Sequence, residues 1–193
     1  MLVEEISHRV LNQYTRAISS MSLAAARATD PIARRILIET AQELRAHAEA
    51  HRALQAPRSG EMLDLGEYLG RICVAISAST LADAGIHLTL IQNRIGLSSD
   101  RCWRVGLMVS ELITNARRHG LHGTGGEIVV ELASSGDKIF CRVTDDGCSS
   151  TAPSMGRGRT LIETLADDLG GSVNWTFAPA GVSVLLTIPA RQQ

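Results

Sequence analysis

The first 55 residues limit this chain's architecture more than any single motif in it. Positions 3, 7, 10, 14, 17, 21, 24 and 28 read Val, Ser, Val, Tyr, Ala, Met, Ala and Ala. This is an apolar stripe with a period of about 3.5 residues, interrupted only at Ser7, as in a helix packed in a bundle. "TDP" at 29–31 stops it, with Asp30 suited to an N-cap and Pro31 to the first position of a second helix. Leu37, Ala41, Leu44 and Ala48 carry the same seam through that second helix. A lone two-helix hairpin leaves an apolar stripe in water, so the pattern predicts a homodimer whose two hairpins form a four-helix bundle. "APRSGE" at 56–61 is the linker, which divides the chain into a hairpin at 1–56 and a second unit at 61–190.

Beyond the linker the periodicity becomes mixed. Residues 62–84 read as a short strand and a helix, "IHLTLIQ" (86–92) as a strand, and 100–119 as a long helix capped by Asp100, with Trp103 in its core. "EIVVELAS" and "KIFCRVTD" alternate like an antiparallel pair, "GRTLIETLADD" is a helix ended by Gly170 and Gly171, and "SVNWTF" with "GVSVLLTIP" forms a closing hairpin. The fold class is α+β: a helical hairpin followed by an α/β sandwich, one layer of helices on one mostly antiparallel sheet.

Charge narrows the partners. With 19 basic against 20 acidic residues and a net charge of −1, the chain has no basic field for nucleic acid or an anionic membrane. It has no apolar run of about 18 residues and opens on the acidic "MLVEEISHRV", so no direct membrane insertion is expected. Four cysteines without CxxC spacing read as reduced thiols of a cytoplasmic protein. His47 and His51 in "HAEAH" have metal-ligand spacing but no evident third ligand, and read as a solvated helix end.

"VSELITNARRHG" (109–120) sets Glu111, Asn115 and His119 four residues apart, on one stripe beside a core stripe of Val105, Met108, Leu112 and Ala116. Spacing alone fits a solvated face. Downstream, a strand runs into "VTDDG" (143–147), and "MGRGR" (155–159) opens a helix. Glycines at a helix start let backbone N–H groups approach phosphate oxygens, which the helix dipole favours. A carboxylate, an amide able to bind Mg2+ and a phosphate-binding helix start are the parts an ATP site needs.

In order, "ELITNARRHG", "DDG" and "GRGRTLIETLADDLGGSV" resemble the three nucleotide-binding boxes of the Bergerat-type ATP-binding domain of histidine kinases. "EEISHRVLNQY" resembles the phosphoacceptor box of the subgroup with an HRVxN motif. The resemblance implies a two-component histidine kinase core that uses ATP and Mg2+, with His8 as nucleophile and a response-regulator receiver aspartate as acceptor. It implies that Asp145 accepts a hydrogen bond from the adenine amine and Gly147 lets the base lie against the backbone. Asn115 would ligate Mg2+, and Glu111 would orient or deprotonate the imidazole. Arg118 and His119 would contact phosphates, and Gly156 and Gly158 would form lid hinge and cradle. Asn12, one turn after His8, has the placement to hold a hydrolytic water.

Two departures stand out: Ser149 occupies the place of a second glycine in the "DDGCS" turn, and no sensor segment precedes His8. The second implies a signal delivered by a separate sensor protein, or a stand-alone core. The same residues carry two rival readings: a histidine phosphotransferase with a decayed ATP site, and an anti-sigma-like binding module on the ATP-binding fold.

Overall fold

The computed structural model describes residues 2–55, 60–122, 125–147 and 157–191, apart from the side chains at 2–10, 12, 43, 83 and 157. Two long helices open the chain, α1 (Leu2–Arg27) and α2 (Pro31–Ala53). They reverse where the sequence predicts: Asp30 caps α2, its Oδ1 accepting from the Ile32 N–H at 3.1 Å, and Pro31 takes the first turn, where no amide donor is needed. The seam of α2 holds, with Ala41 and Ala48 buried between the half-buried Leu37 and Leu44. That of α1 is shifted by one residue near its end, where Ala25 is buried and Ala24 exposed. The stripe through Tyr14, Ile18, Met21, Ala25 and Ala28 keeps one face of a 3.6-residue helix, which the position-24 reading leaves.

A short antiparallel pair follows the hairpin, β1 (Met62–Asp64) with β3 (Gly96–Ser98), flanking α3 (Leu65–Ile76) and β2 (Ile86–Gln92). The long helix α4 spans Ser99–Asn115 and continues as a π turn, Ala116–Gly120. Then come β4 (Gly126–Ser135), β5 (Lys138–Asp145), α5 (Arg157–Asp168), β6 (Ser172–Ala178) and β7 (Gly181–Pro189). The main sheet has the order β2-β4-β5-β7-β6. Only β2 and β4 pair in parallel, so the chain between them must cross over, and α4 lies in that crossover. One sheet face and the helices above it bury Leu69, Ile72, Met108, Ile113, Ile128, Ile139, Ile162 and Leu186, each at most 2% exposed. Burying these side chains contributes roughly 1.5–3 kcal/mol apiece.

Three details differ from the expectations. The residue capping α4 is Ser98, while Asp100 lies in the first turn and pairs with Arg104, 3.1 Å away, which also reaches Asp168. Trp103 is half-buried rather than core, and its Nε1 donates to the carbonyl of Leu54 at 2.9 Å, tying the end of α2 to α4. Indole suits that place because it offers an apolar body and one donor for an orphan helix-end carbonyl. His47 is exposed, but the His51 Nε2 is buried without a partner among the described residues, so this helix end is only partly solvated. Among the described residues no helix is long and apolar enough to cross a membrane, and no cluster of three or more His, Cys, Asp or Glu could hold a metal.

Candidate functional site

The site is built around the end of β5. Alternation along that strand buries Ile139, Cys141, Val143 and finally Asp145, which is 5% exposed. A carboxylate so placed needs donors, and two backbone amides supply them: Oδ1 accepts from Gly147 N at 3.0 Å and from Val182 N at 3.4 Å. Burial raises the Asp145 carboxyl above its ordinary value of 3.8, and the Asp146 charge adds to this, while the two amide bonds oppose it. Among the described residues no hydrogen bond reaches Oδ2, which leaves an acceptor for a ligand amine. Asp146 faces away, its Oδ1 accepting from Glu127 N at 2.8 Å, so it fastens β5 to β4. Of the two adjacent carboxylates, Asp145 has the site-facing environment and Asp146 the structural one.

Three glycines allow close packing around Asp145, and Gly120 meets its carboxylate directly. A Cβ at Gly120 would lie 2.7 Å from the Asp145 Cγ, one at Gly147 would overlap the Gly120 backbone, and one at Gly181 would overlap the Asp145 carbonyl. Gly181 also adopts a φ of +132°, which L side chains rarely take. Gly147 was legible from its motif. Gly120 and Gly181 were not, although "RHG" at the helix end and "PAGV" at the hairpin turn mark both in the sequence.

Above the sheet, α4 carries Glu111 and Asn115, both half-buried and one helical turn apart. Glu111 packs on the first turn of α5, so closely that a Cβ at Gly158 would overlap its carboxylate. Gly158 is therefore required by close approach as well as suited to a phosphate cradle. His119 departs from the expected stripe. After Asn115 the helix widens, with Leu121 N donating to the Ala116 carbonyl five residues back at 2.8 Å. The extra residue in that turn moves His119 off the Glu111–Asn115 line, leaving it and Arg118 exposed. The π turn packs against β5 and β7, which is how Gly120 reaches Asp145.

The structure thus joins Glu111 to Gly158 and Asp145 to Gly147, and the continuous α4 and π turn links the two pairs. His8 and Asn12 occupy positions on α1, but their side chains lie outside the described residues, as do Gly156 and Ser149. The polar groups suit ATP: a buried acceptor for an amine at one end and a glycine-started helix at the other. Mg2+ would rest on the Asn115 amide oxygen together with nucleotide oxygens, a donor set that suits a hard cation.

A family model described as "Histidine kinase-like ATPase domain" matches residues 77–188, more than half of the chain, and one described as "Histidine kinase" matches 5–80. The chain is 29% identical to the blue-light-activated histidine kinase 2 of Erythrobacter litoralis over 98% of its own length, and spans 57% of that relative. It is 34% identical to the serine-protein kinase RsbW of Listeria monocytogenes, over 53% of this chain and 74% of that one. Among solved structures, the histidine kinase domain of the Erythrobacter litoralis EL346 blue-light activated histidine kinase superposes with a TM-score of 0.65 at 25% identity, covering 93% of this chain and 97% of that chain. The fold, the ordered motifs and these matches lead to one conclusion: the chain is a histidine kinase core and belongs to the histidine kinase family, whose members are ATP-dependent transferases.

Proposed function

We propose that this chain binds ATP with Mg2+ in the pocket around Asp145, transfers the γ-phosphoryl group to His8 within a homodimer, and passes it to a response-regulator aspartate. The observation that carries the reading is Asp145 itself: a buried carboxylate, held through one oxygen by two backbone amides and packed against Gly120. Its second oxygen, which accepts from no described residue, supports a ligand donor there.

The resemblance supports a division of labour among the site residues. Asp145 takes the adenine amine, and Gly147 gives the base room beside the backbone. Asn115 holds Mg2+, and Glu111 orients the imidazole or takes its proton. Gly158 lets the start of α5 approach phosphate, with Gly156 as the lid hinge and Arg118 and His119 reaching outward to the phosphates. Bound Mg2+ would neutralise charge on the transferred group. The protein's own contribution is alignment and fixed donors, the main needs of phosphoryl transfer. Neutral imidazole, with an ordinary pKa near 6.5, is nucleophilic at neutral pH. Asn12 would hold a water in line with the regulator's aspartyl phosphate, whose hydrolysis to inorganic phosphate would be a second, phosphatase activity. The hairpin at 1–56 presents His8 and the unit at 61–190 presents ATP. A separate sensor protein would deliver the signal, and the cytoplasm would keep Cys73, Cys102 and Cys141 as the thiols they are.

The match to the serine kinase RsbW favours a second reading, phosphorylation of a partner's hydroxyl, but it covers 53% of the chain and leaves the hairpin without a role. Calorimetric titration with ATP and Mg2+ tests the pocket. The unmutated chain should bind, and Asp145→Asn should weaken binding at least about tenfold, the loss of one charge-assisted hydrogen bond. Absence of binding by the unmutated chain would defeat the kinase reading and favour the phosphotransferase.

A further inference from the structure

The start of α5 is held from one side by Glu111 and from the other by a group that the proposed chemistry does not use. Arg159, next to Gly158, does not extend toward solvent. Its Nε donates to the Glu163 Oε1 at 3.0 Å, one turn along the same helix, and its guanidinium carbon lies 5.0 Å from the ring centroid of Trp175 on β6. Trp175 in turn stacks on Phe177, with ring planes 6° apart and centroids 6.4 Å apart. The Arg159 and Glu163 side chains are 29% and 35% exposed, so the layer is partly shielded from water. The Trp175 Nε1 is buried with no partner among the described residues, so the indole is kept for its face and not for its donor.

We infer that Arg159 is a positioning residue: gripped between the Trp175 face and Glu163, it fixes the first turn of α5 on the sheet edge and so holds Gly158 against Glu111 before nucleotide arrives. Arginine suits the role because its planar guanidinium stacks on a ring while the Nε edge still donates to a carboxylate. The neighbouring glycine gives the backbone no side chain of its own to anchor it there. The reading of α5 as a phosphate-binding helix rests on the proposed function. The ordering of that helix by Arg159 does not.

The test therefore has one arm without nucleotide. Amide hydrogen exchange in the unliganded chain should rise on the order of fivefold at residues 161–164 in Arg159→Ala, the combined size of a cation–π contact and a partly exposed i,i+4 ion pair. Trp175→Ala should do the same, whereas Trp175→Phe, which keeps an aromatic face, should exchange like the unmutated chain. In the second arm, Arg159→Ala should raise the ATP concentration needed for half-maximal labelling by a similar factor while leaving the rate at saturating ATP within about twofold, the signature of lost preorganisation. Unchanged exchange in Arg159→Ala, or equal effects of Trp175→Ala and Trp175→Phe, would overturn the inference whether or not ATP binds. Normal exchange with a labelling rate depressed at all ATP concentrations would also overturn it, because Arg159 would then act on the phosphates directly.

Discussion

The two halves of the chain bury their apolar residues to different depths. In the second half Leu65, Leu69, Leu81, Met108, Ile113 and Ile162 are closed off completely, each fully buried between sheet and helices. In the hairpin the only buried hydrophobic side chains among the described residues are the small Ala25, Ala41 and Ala48, none of them closed off completely, while Ile32 is 63% and Ile36 53% exposed. Half a core of alanines brings two helices close but removes little area from water. The ATP-binding half thus closes its core within one chain, whereas the hairpin leaves large apolar side chains in water, as the proposed dimer would require.

The sharpest way to break this contrast is to remove the exposed apolar face of α2. Ile32→Ser with Ile36→Ser should weaken dimerisation by at least about a hundredfold, since each isoleucine buried at the interface contributes roughly 1.5–3 kcal/mol. Sedimentation at micromolar concentration reads this directly, and the melting of the ATP-binding half should stay unchanged. An unmutated chain that is monomeric with full helicity would rule out the four-helix bundle.

The complementary change strikes only the other half. Gly147→Ala drives a methyl group into the Gly120 backbone, and overpacking of this kind costs about 1–3 kcal/mol. Calorimetry should show a lower melting temperature for the ATP-binding half, with nucleotide binding lost and dimerisation intact.

Much of this contrast was legible in the sequence. Alternation marked the strands, "TDP" marked the hairpin turn, and the run from Glu111 through the "DDG" turn to Gly158 marked the site. What escaped depends on contacts distant in sequence. Nothing local to "ARRHG" shows that the helix widens there, because the widening lets Gly120 settle on Asp145 at the end of a strand 25 residues on. Ser98 and not Asp100 precedes the first turn of α4 because pairing of β3 with β1 ends at Ser98, which fixes where the helix begins. The parallel pairing of β2 with β4 is invisible to alternation, which reports a face but no direction. Trp103 reads as core by hydrophobicity alone, and only the arrival of Leu54 gives its N–H a purpose.

Within the site, stability and binding should pull Asp145 in opposite directions. Burial raises its carboxyl above the ordinary aspartate value, so folding penalises the charged form. The stability this confers is complete below the ordinary aspartate value and is lost as pH rises through the raised folded value. Asp145→Asn cannot ionise, so chemical denaturation should find it increasingly more stable than the unmutated chain from acid toward neutral pH, while its ATP affinity falls. A variant less stable at neutral pH would mean that the two amide bonds, not burial, dominate.

The smallest effect concerns the join between the halves. Trp103→Phe keeps the ring and removes the donor to Leu54, at a cost of about 1 kcal/mol. Hydrogen exchange should rise in the last turn of α2 and leave the sheet unchanged. Equal protection in both proteins would show that this bond does not couple hairpin to sheet.

In the proposed reaction one half of the chain supplies a nucleophile and the other the ATP site. Incubation of the full chain with γ-labelled ATP and Mg2+ tests it, because phosphohistidine is lost in acid and survives alkali, whereas phosphoserine does the reverse. The account predicts an acid-labile, alkali-stable label that vanishes in His8→Gln while ATP affinity is retained, since that change removes the nucleophile without touching the pocket. An acid-stable label persisting in His8→Gln would contradict it.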